Sequence, residues 1–173
     1  MFLDCLHAAR VGFPSLATFS EITLRANPAP WGGYIQTDPP SGKALSTTFL
    51  ISSPGWTAEA DGLPLSYSFG FQTSPSAPLL SLASMNLRSY TSSYLPAGRN
   101  YLNYSIALEA TAMDIYTSTA NCMGKVKVDA NPTVDITVVL NTSLTTAFSS
   151  SDGDLIFRTV NNVSINSTYL TDL

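Results

Sequence analysis

Reactive side chains are scarce in this sequence. It has one histidine (His7), two cysteines (Cys5 and Cys122) and twelve carboxylates. A Ser–His–Asp triad needs a histidine to take the serine's proton. His7 stands in a terminal stretch that is hard to place, and no Gly-x-Ser-x-Gly elbow occurs in the chain. Zinc needs ligands in closely spaced pairs, and neither cysteine has a second one two to four residues away. Cys5 and Cys122 form a disulfide or remain thiols; their spacing leaves both open. Calcium takes about six to eight oxygens, for which Asp61, Asp114, Asp152 and Asp154 are the candidates. Asp152-Gly153-Asp154 has the look of an EF-hand opening, but no acidic ligand follows at the required spacing. Turn and cap roles suit these aspartates better. The expectation is therefore a protein without catalytic residues, cofactor or metal, and one that calcium does not stabilise. Paired carboxylates for glycoside hydrolysis remain formally open, although the acidic residues are few and fall mostly in turns.

Binding and modification have more to work with. Trp31, Tyr34 and Tyr90 are candidate ligand-contact aromatics, since a flat ring is a platform for a sugar. The same property suits Trp31 to plugging a turn, and Trp56, preceded by Pro54-Gly55, reads as a core anchor. Four Asn-x-Ser/Thr sequons stand at Asn103, Asn141, Asn162 and Asn166. Asn103 alternates with Leu102 and Tyr104, so it is expected to face water from a strand.

Positioning these groups falls to a chain whose apolar residues recur with a period of two between about residues 18 and 130. Ile22 and Leu24 alternate with polar neighbours up to Asn27-Pro28. The same holds for Leu45, Thr47, Phe49 and Ile51; for Leu65, Tyr67, Phe69 and Phe71; for Leu80 and Leu82; for Leu102, Tyr104, Ile106, Leu108 and Ala110; and for Val126 and Val128. Turn signals separate them: Pro39-Pro40-Ser41-Gly42, Pro54-Gly55, Asp61-Gly62-Leu63-Pro64, Pro75-Ser76-Ala77-Pro78 and Pro96-Ala97-Gly98. Each strand needs one dry and one wet side, which two stacked antiparallel sheets supply. The expected fold is mainly β, an immunoglobulin- or fibronectin-III-like antiparallel sandwich followed by a short C-terminal helical segment.

The pattern changes after Asn131-Pro132, read as a helix cap with proline in the first turn. Ile136, Val139, Leu140, Leu144, Ala147 and Phe148 step by three and four, the mark of a helix. The β-branched run Thr133–Val139 favours a strand instead. The reading adopted is a helix, with Asp152 capping a second one that carries Ile156, Val160 and Val163 on one face. The chain thus divides into residues 1–16, unassigned or the end of a preceding domain; 17–130, the sandwich; and 131–173, a helical hairpin.

Composition points the same way. Charged residues are 12% of the chain against an ordinary share of about 25%. Ser and Thr take their place, at roughly a quarter of the chain. With three Lys, five Arg and a net charge of −4, no basic cluster exists, which argues against nucleic acid and against an anionic membrane surface. The first residues have no signal-peptide pattern, and no run of about 18 apolar residues occurs. If the protein is extracellular, the expectation is that this chain is a piece of a longer one.

One succession of motifs is specific as a set. Gly32-Gly33 leads into Pro40-Ser41-Gly42-Lys43-Ala44-Leu45-Ser46-Thr47-Thr48-Phe49; Gly55-Trp56 and Asp61-Gly62-Leu63-Pro64-Leu65-Ser66-Tyr67-Ser68-Phe69-Gly70 follow; Leu95-Pro96-Ala97-Gly98 comes later. Together they resemble the REJ (receptor for egg jelly) region of polycystin-like membrane proteins. The resemblance covers about residues 19–129 and extends more loosely into the tail through Gly153-Asp154-Leu155-Ile156. Asp114-Ile115-Tyr116 sits where that family carries an Asp-led turn between its last two strands. The family's two cysteines, after the Gly-Gly turn and before the Gly-Trp, are replaced by Tyr34 and Ser53, and the usual glycine of the Asp-led turn by Thr117. Loss of such a bridge costs about 2–4 kcal/mol, which the core or a Cys5–Cys122 pair must supply.

The resemblance implies a non-catalytic, structural or ligand-presenting module on the extracellular face of a larger membrane protein, with a role in surface sensing or adhesion. Its expected partners are neighbouring domains of the parent chain and an extracellular protein or glycan ligand. Two alternatives stand beside it: a carbohydrate- or protein-binding adhesin domain using the exposed aromatics, and an accessory β-sandwich of a secreted hydrolase.

Overall fold

The computed structural model describes residues 2–9 and 18–150, together with residues 153, 155, 156, 159, 160, 162 and 163. It is mainly β. In chain order the elements are β1 (Phe2–Ala9), β2 (Thr18–Arg25), β3 (Gln36–Asp38), β4 (Ser41–Lys43), β5 (Phe49–Ser52), β6 (Ser66–Gln72), β7 (Leu80–Asn86), β8 (Tyr90–Ser93), β9 (Ser105–Met113), β10 (Thr119–Asp129) and the helix α1 (Ile136–Ser150).

The strands form three sheets. β1 and β2 make an antiparallel pair running from Phe2 opposite Arg25 to Ala9 opposite Thr18. A five-stranded sheet has the order β4-β10-β9-β6-β7, and a three-stranded sheet the order β3-β5-β8. All pairings are antiparallel except β4 with β10, which is parallel.

Alternation explains the larger sheets. Along β9, Ile106, Leu108, Ala110 and Ala112 are buried while their neighbours are half-exposed, as a strand with one dry face requires. In β10 the alternation ends in buried Val126 and Val128. Phe49 and Ile51 of β5 supply the other side of the same core, joined by Phe69, Phe71, Leu82 and Leu95. Each such side chain contributes about 1.5–3 kcal/mol of burial. β6 breaks the rhythm: Phe69, Gly70 and Phe71 are all buried. The pairing with β7 shifts register there, and Leu79 of the β7 approach lies over Gly70, 2.9 Å from where a Cβ would stand.

Two expected strands are shorter than their alternation suggests. β5 begins at Phe49, because Leu45 adopts φ 56° and turns the chain. β9 begins at Ser105, because Asn100–Leu102 is a 3-10 turn and both Asn103 and Tyr104 are left-handed, with φ 53° and 57°. Asn103 is exposed as expected, but from a turn rather than a strand. The Leu95-Pro96-Ala97-Gly98 segment is buried throughout. Its Gly98 amide donates to Val128 O at 2.9 Å, and a Cβ on Gly98 would stand 2.1 Å from Tyr104 O. That glycine is required by a close approach of two backbones.

The helix resolves the ambiguity of the β-branched run in favour of the stripe. It starts later than Asn131-Pro132 implies: Asp135 caps it, its Oδ1 accepting from the amides of Thr137 at 2.9 Å and Val138 at 3.3 Å. Thr145 and Thr146 return their hydroxyls to the carbonyls four residues back, which satisfies polar groups that would otherwise compete with the helix. Ile136, Val139, Leu140, Leu144 and Ala147 share the covered side, whereas Phe148 is exposed. Further on, Gly153, Leu155, Ile156, Thr159, Val160, Asn162 and Val163 are helical. Asp152, the expected cap, lies outside the described residues.

Candidate functional site

Two constellations gather the side chains singled out by sequence. The first is the seam between residues 31–34 and 53–57. Trp31 and Thr57 exchange backbone hydrogen bonds of 2.9 and 2.8 Å, and the Tyr34 amide donates to Pro54 O at 3.2 Å. Gly32 and Gly55, with φ 85° and 81°, turn the two segments toward each other. Trp56 lies over Gly33, where a Cβ would stand only 1.9 Å from the indole, and its Nε1 donates to Ser53 Oγ at 2.7 Å. Ser53 is buried and in turn lies 3.3 Å from Cys122 Sγ. Trp56 is half-buried and stands outside the hydrophobic core, covering Gly33 and the buried Ser53 as a plug over this seam rather than anchoring the core.

Trp31 and Tyr34 behave differently. They are 48% and 54% exposed, both on the 31–34 side of this seam. Tyr90 lies on β8 opposite Ser52, also half-exposed. Cys122 is a free thiol in β10. Cys5 and His7 belong to β1, opposite Ile22 and Ser20 of β2.

The second constellation is built on Asp114, at the end of β9. Its carboxylate is buried. Oδ1 accepts from the amides of Tyr116 and Ser118, both at 2.9 Å, and Oδ2 accepts from Asn27 Nδ2. Asn27 also donates to Ser118 Oγ at 2.8 Å. The Ile115 amide reaches Gly62 O at 3.1 Å, tying the Asp61-Gly62 turn to the same knot. Burial pushes the Asp114 carboxyl up, but the donors from Asn27, Ser118 and Tyr116 outweigh it and hold the pKa below its ordinary value. Asp61 is exposed in the 3-10 turn Ala60–Gly62; Asp152 and Asp154 lie outside the described residues. Among the described residues no group of three or more His, Cys, Asp or Glu side chains is placed to hold a metal. Chemically, Asp114 closes a turn.

The sequons are distributed unevenly. Asn103 and Asn141 are exposed, Asn162 is buried, and Asn166 lies outside the described residues. Sequence reasoning missed Asn27 as the partner of Asp114, because 87 residues separate them. It also missed Ser53 as the acceptor beneath Trp56.

The chain matches the family model of the REJ domain over residues 9–160. It belongs to the REJ family. No curated protein matches it. REJ domains are non-catalytic modules of polycystin-family proteins and extracellular parts of membrane proteins. In this REJ domain, no helix among the described residues is long and apolar enough to cross a membrane. The matched range takes in both large sheets and α1. Two local features lie within that range. Thr117 adopts φ 67°, the left-handed region in which glycine is at ease. Tyr34 and Ser53 lie on segments joined by the Tyr34–Pro54 hydrogen bond.

Proposed function

We propose that this REJ domain is a structural and ligand-presenting module in the ectodomain of a larger, polycystin-related membrane protein, serving surface sensing or adhesion. The observation that carries the reading is the family match across residues 9–160. The use of the polar groups supports it: Asp114, Asn27 and Ser53 are spent on turns and on seating Trp56. A module that transmits force or spaces binding surfaces needs this kind of internal cross-bracing. Its partners would be the neighbouring domains of the same chain and an extracellular protein or glycan.

The immunoglobulin-like sandwich is part of this proposal. The orders β4-β10-β9-β6-β7 and β3-β5-β8 correspond to a G-F-C-C′ sheet with an added parallel edge strand, facing an A-B-E sheet. Surface labelling of the full-length parent protein, tagged within this domain, tests the location. Labelling of intact cells is the expected result; labelling only after permeabilisation would overturn it.

A second reading, a carbohydrate- or protein-binding adhesin, is favoured by one observation: Trp31 and Tyr34 share an exposed seam. Saturable binding on a glycan array that Trp31→Ala abolishes would favour it over a purely structural role. An upstream catalytic domain in the parent chain would favour the hydrolase-accessory alternative over both.

A further inference from the structure

The sequons look alike in sequence, yet the fold treats them differently. N-glycosylation joins the asparagine Nδ2 to the anomeric carbon of an oligosaccharide carried on a lipid diphosphate. The new N–C bond replaces the sugar–phosphate C–O bond, the lipid diphosphate departs, and one amide proton is lost. The product is a bulky group that must reach solvent through the position Nδ2 occupied. Asn103 meets that requirement: it is exposed in the left-handed residue that ends the turn Asn100–Leu102. Asn141 meets it too, lying on the exposed side of α1, its backbone carbonyl accepting from Thr145 Oγ1.

Asn162 does not. It is 3% exposed, and its Nδ2, the atom a glycan would occupy, donates to Tyr94 O at 2.7 Å. Its Oδ1 is enclosed as well, without a hydrogen-bond partner. Around it, Thr159 and Val163 are buried, and the three residues share a cavity of about 200 Å³ with Leu45 and Tyr94 of the β framework and Val139 of α1. A sugar chain on Nδ2 would have to displace the Tyr94 hydrogen bond and lift Asn162 from its buried place.

We infer that Asn103 and Asn141 are the glycan acceptors among the three sequons described, and that Asn162 is instead a peg that seats the helical tail on the sandwich. A glycan on Asn162 and a seated tail are mutually exclusive. The inference rests on the extracellular reading above and deepens it. It gives the module two carbohydrate-bearing points, at the turn before β9 and on α1. The face where Thr159, Asn162 and Val163 meet Tyr94 is kept free of sugar.

The test is site occupancy on the secreted chain, expressed behind a leader in a mammalian host and mapped by glycan removal in heavy-oxygen water with mass spectrometry. The expected result is heavy-oxygen label at Asn103 and Asn141 and none at Asn162. Ser164→Ala, which destroys the third sequon without touching Asn162, is expected to leave the glycan mass unchanged. Asn162→Ala is expected to leave the glycan mass unchanged while lowering the melting temperature and speeding hydrogen exchange in α1. Label at Asn162, or a glycan lost in Ser164→Ala, would overturn the inference and leave the extracellular reading intact. Bare Asn103 and Asn141 on a secreted chain would overturn it too, while surface labelling of the parent protein judges location separately. Unchanged melting and exchange in Asn162→Ala would refute the peg.

Discussion

The β framework and the helical segment after Asn131 are held by different means. In the framework, Phe49, Ile51, Phe71, Ile106, Leu108 and Val128 from facing strands are enclosed in one core. In α1 only Ala147 is fully buried, and its apolar stripe is otherwise half-covered. The framework is bound by non-local pairing, from β4 beside β10 to β6 beside β9. Among the described residues, the tail meets the framework through Asn162, which donates to Tyr94 O at 2.7 Å. Stability is therefore expected to be high in the sheets and low in the tail, with the tail opening while the sheets stay closed.

Mutations sharpen that contrast. The largest effect is expected from Phe71→Ala in β6, about 3–5 kcal/mol by denaturant melting, against roughly 1 kcal/mol or less for Leu140→Ala in half-covered α1. Equal losses at the two positions would erase the distinction. Gly98→Ala comes next, at about 3 kcal/mol, the upper range for over-packing, since its methyl would meet the Tyr104 backbone.

Asp114→Ala should destabilise the fold, because the amides of Tyr116 and Ser118 and the Asn27 side chain lose their acceptor. It also carries a pH signature. The folded pKa lies below its ordinary value of 3.8. Its contribution is thus present above the unfolded value and fades as pH falls through the folded one. Between pH 5 and pH 2.5 the wild-type protein should lose more stability than Asp114→Asn; identical losses would remove Asp114 from the account. The smallest effect is a gain: Thr117→Gly should stabilise by about 1 kcal/mol, relieving the left-handed residue at φ 67°.

Sequence legibility follows the same division. Period-two alternation exposes β6, β9 and β10, because one-sided burial imposes it directly on residue order. The turn geometry at Leu45, Asn103, Tyr104 and Thr117 is hidden, since none of these left-handed residues is glycine. The helix start was misplaced because Asn131-Pro132 offers a plausible cap, whereas Asp135 makes the bonds. Of the candidate site, Trp31, Tyr34 and Asp114 were legible by type. The partners of Asp114 and Asn162 were not, because Asn27 and Tyr94 are brought in by tertiary packing across 87 and 68 residues respectively. The burial of Asn162 has no local signature, as a sequon reads the same inside or out.

Native-state hydrogen exchange tests the central claim most directly. Amides of β6, β9 and β10 should exchange only through global unfolding, sharing one denaturant dependence, while amides of Ile136–Ser150 exchange faster through a smaller opening. A tail as protected as the sheets, or β9 and β10 exchanging independently of β6, would contradict a single core shared by both large sheets with the helix as an appendage.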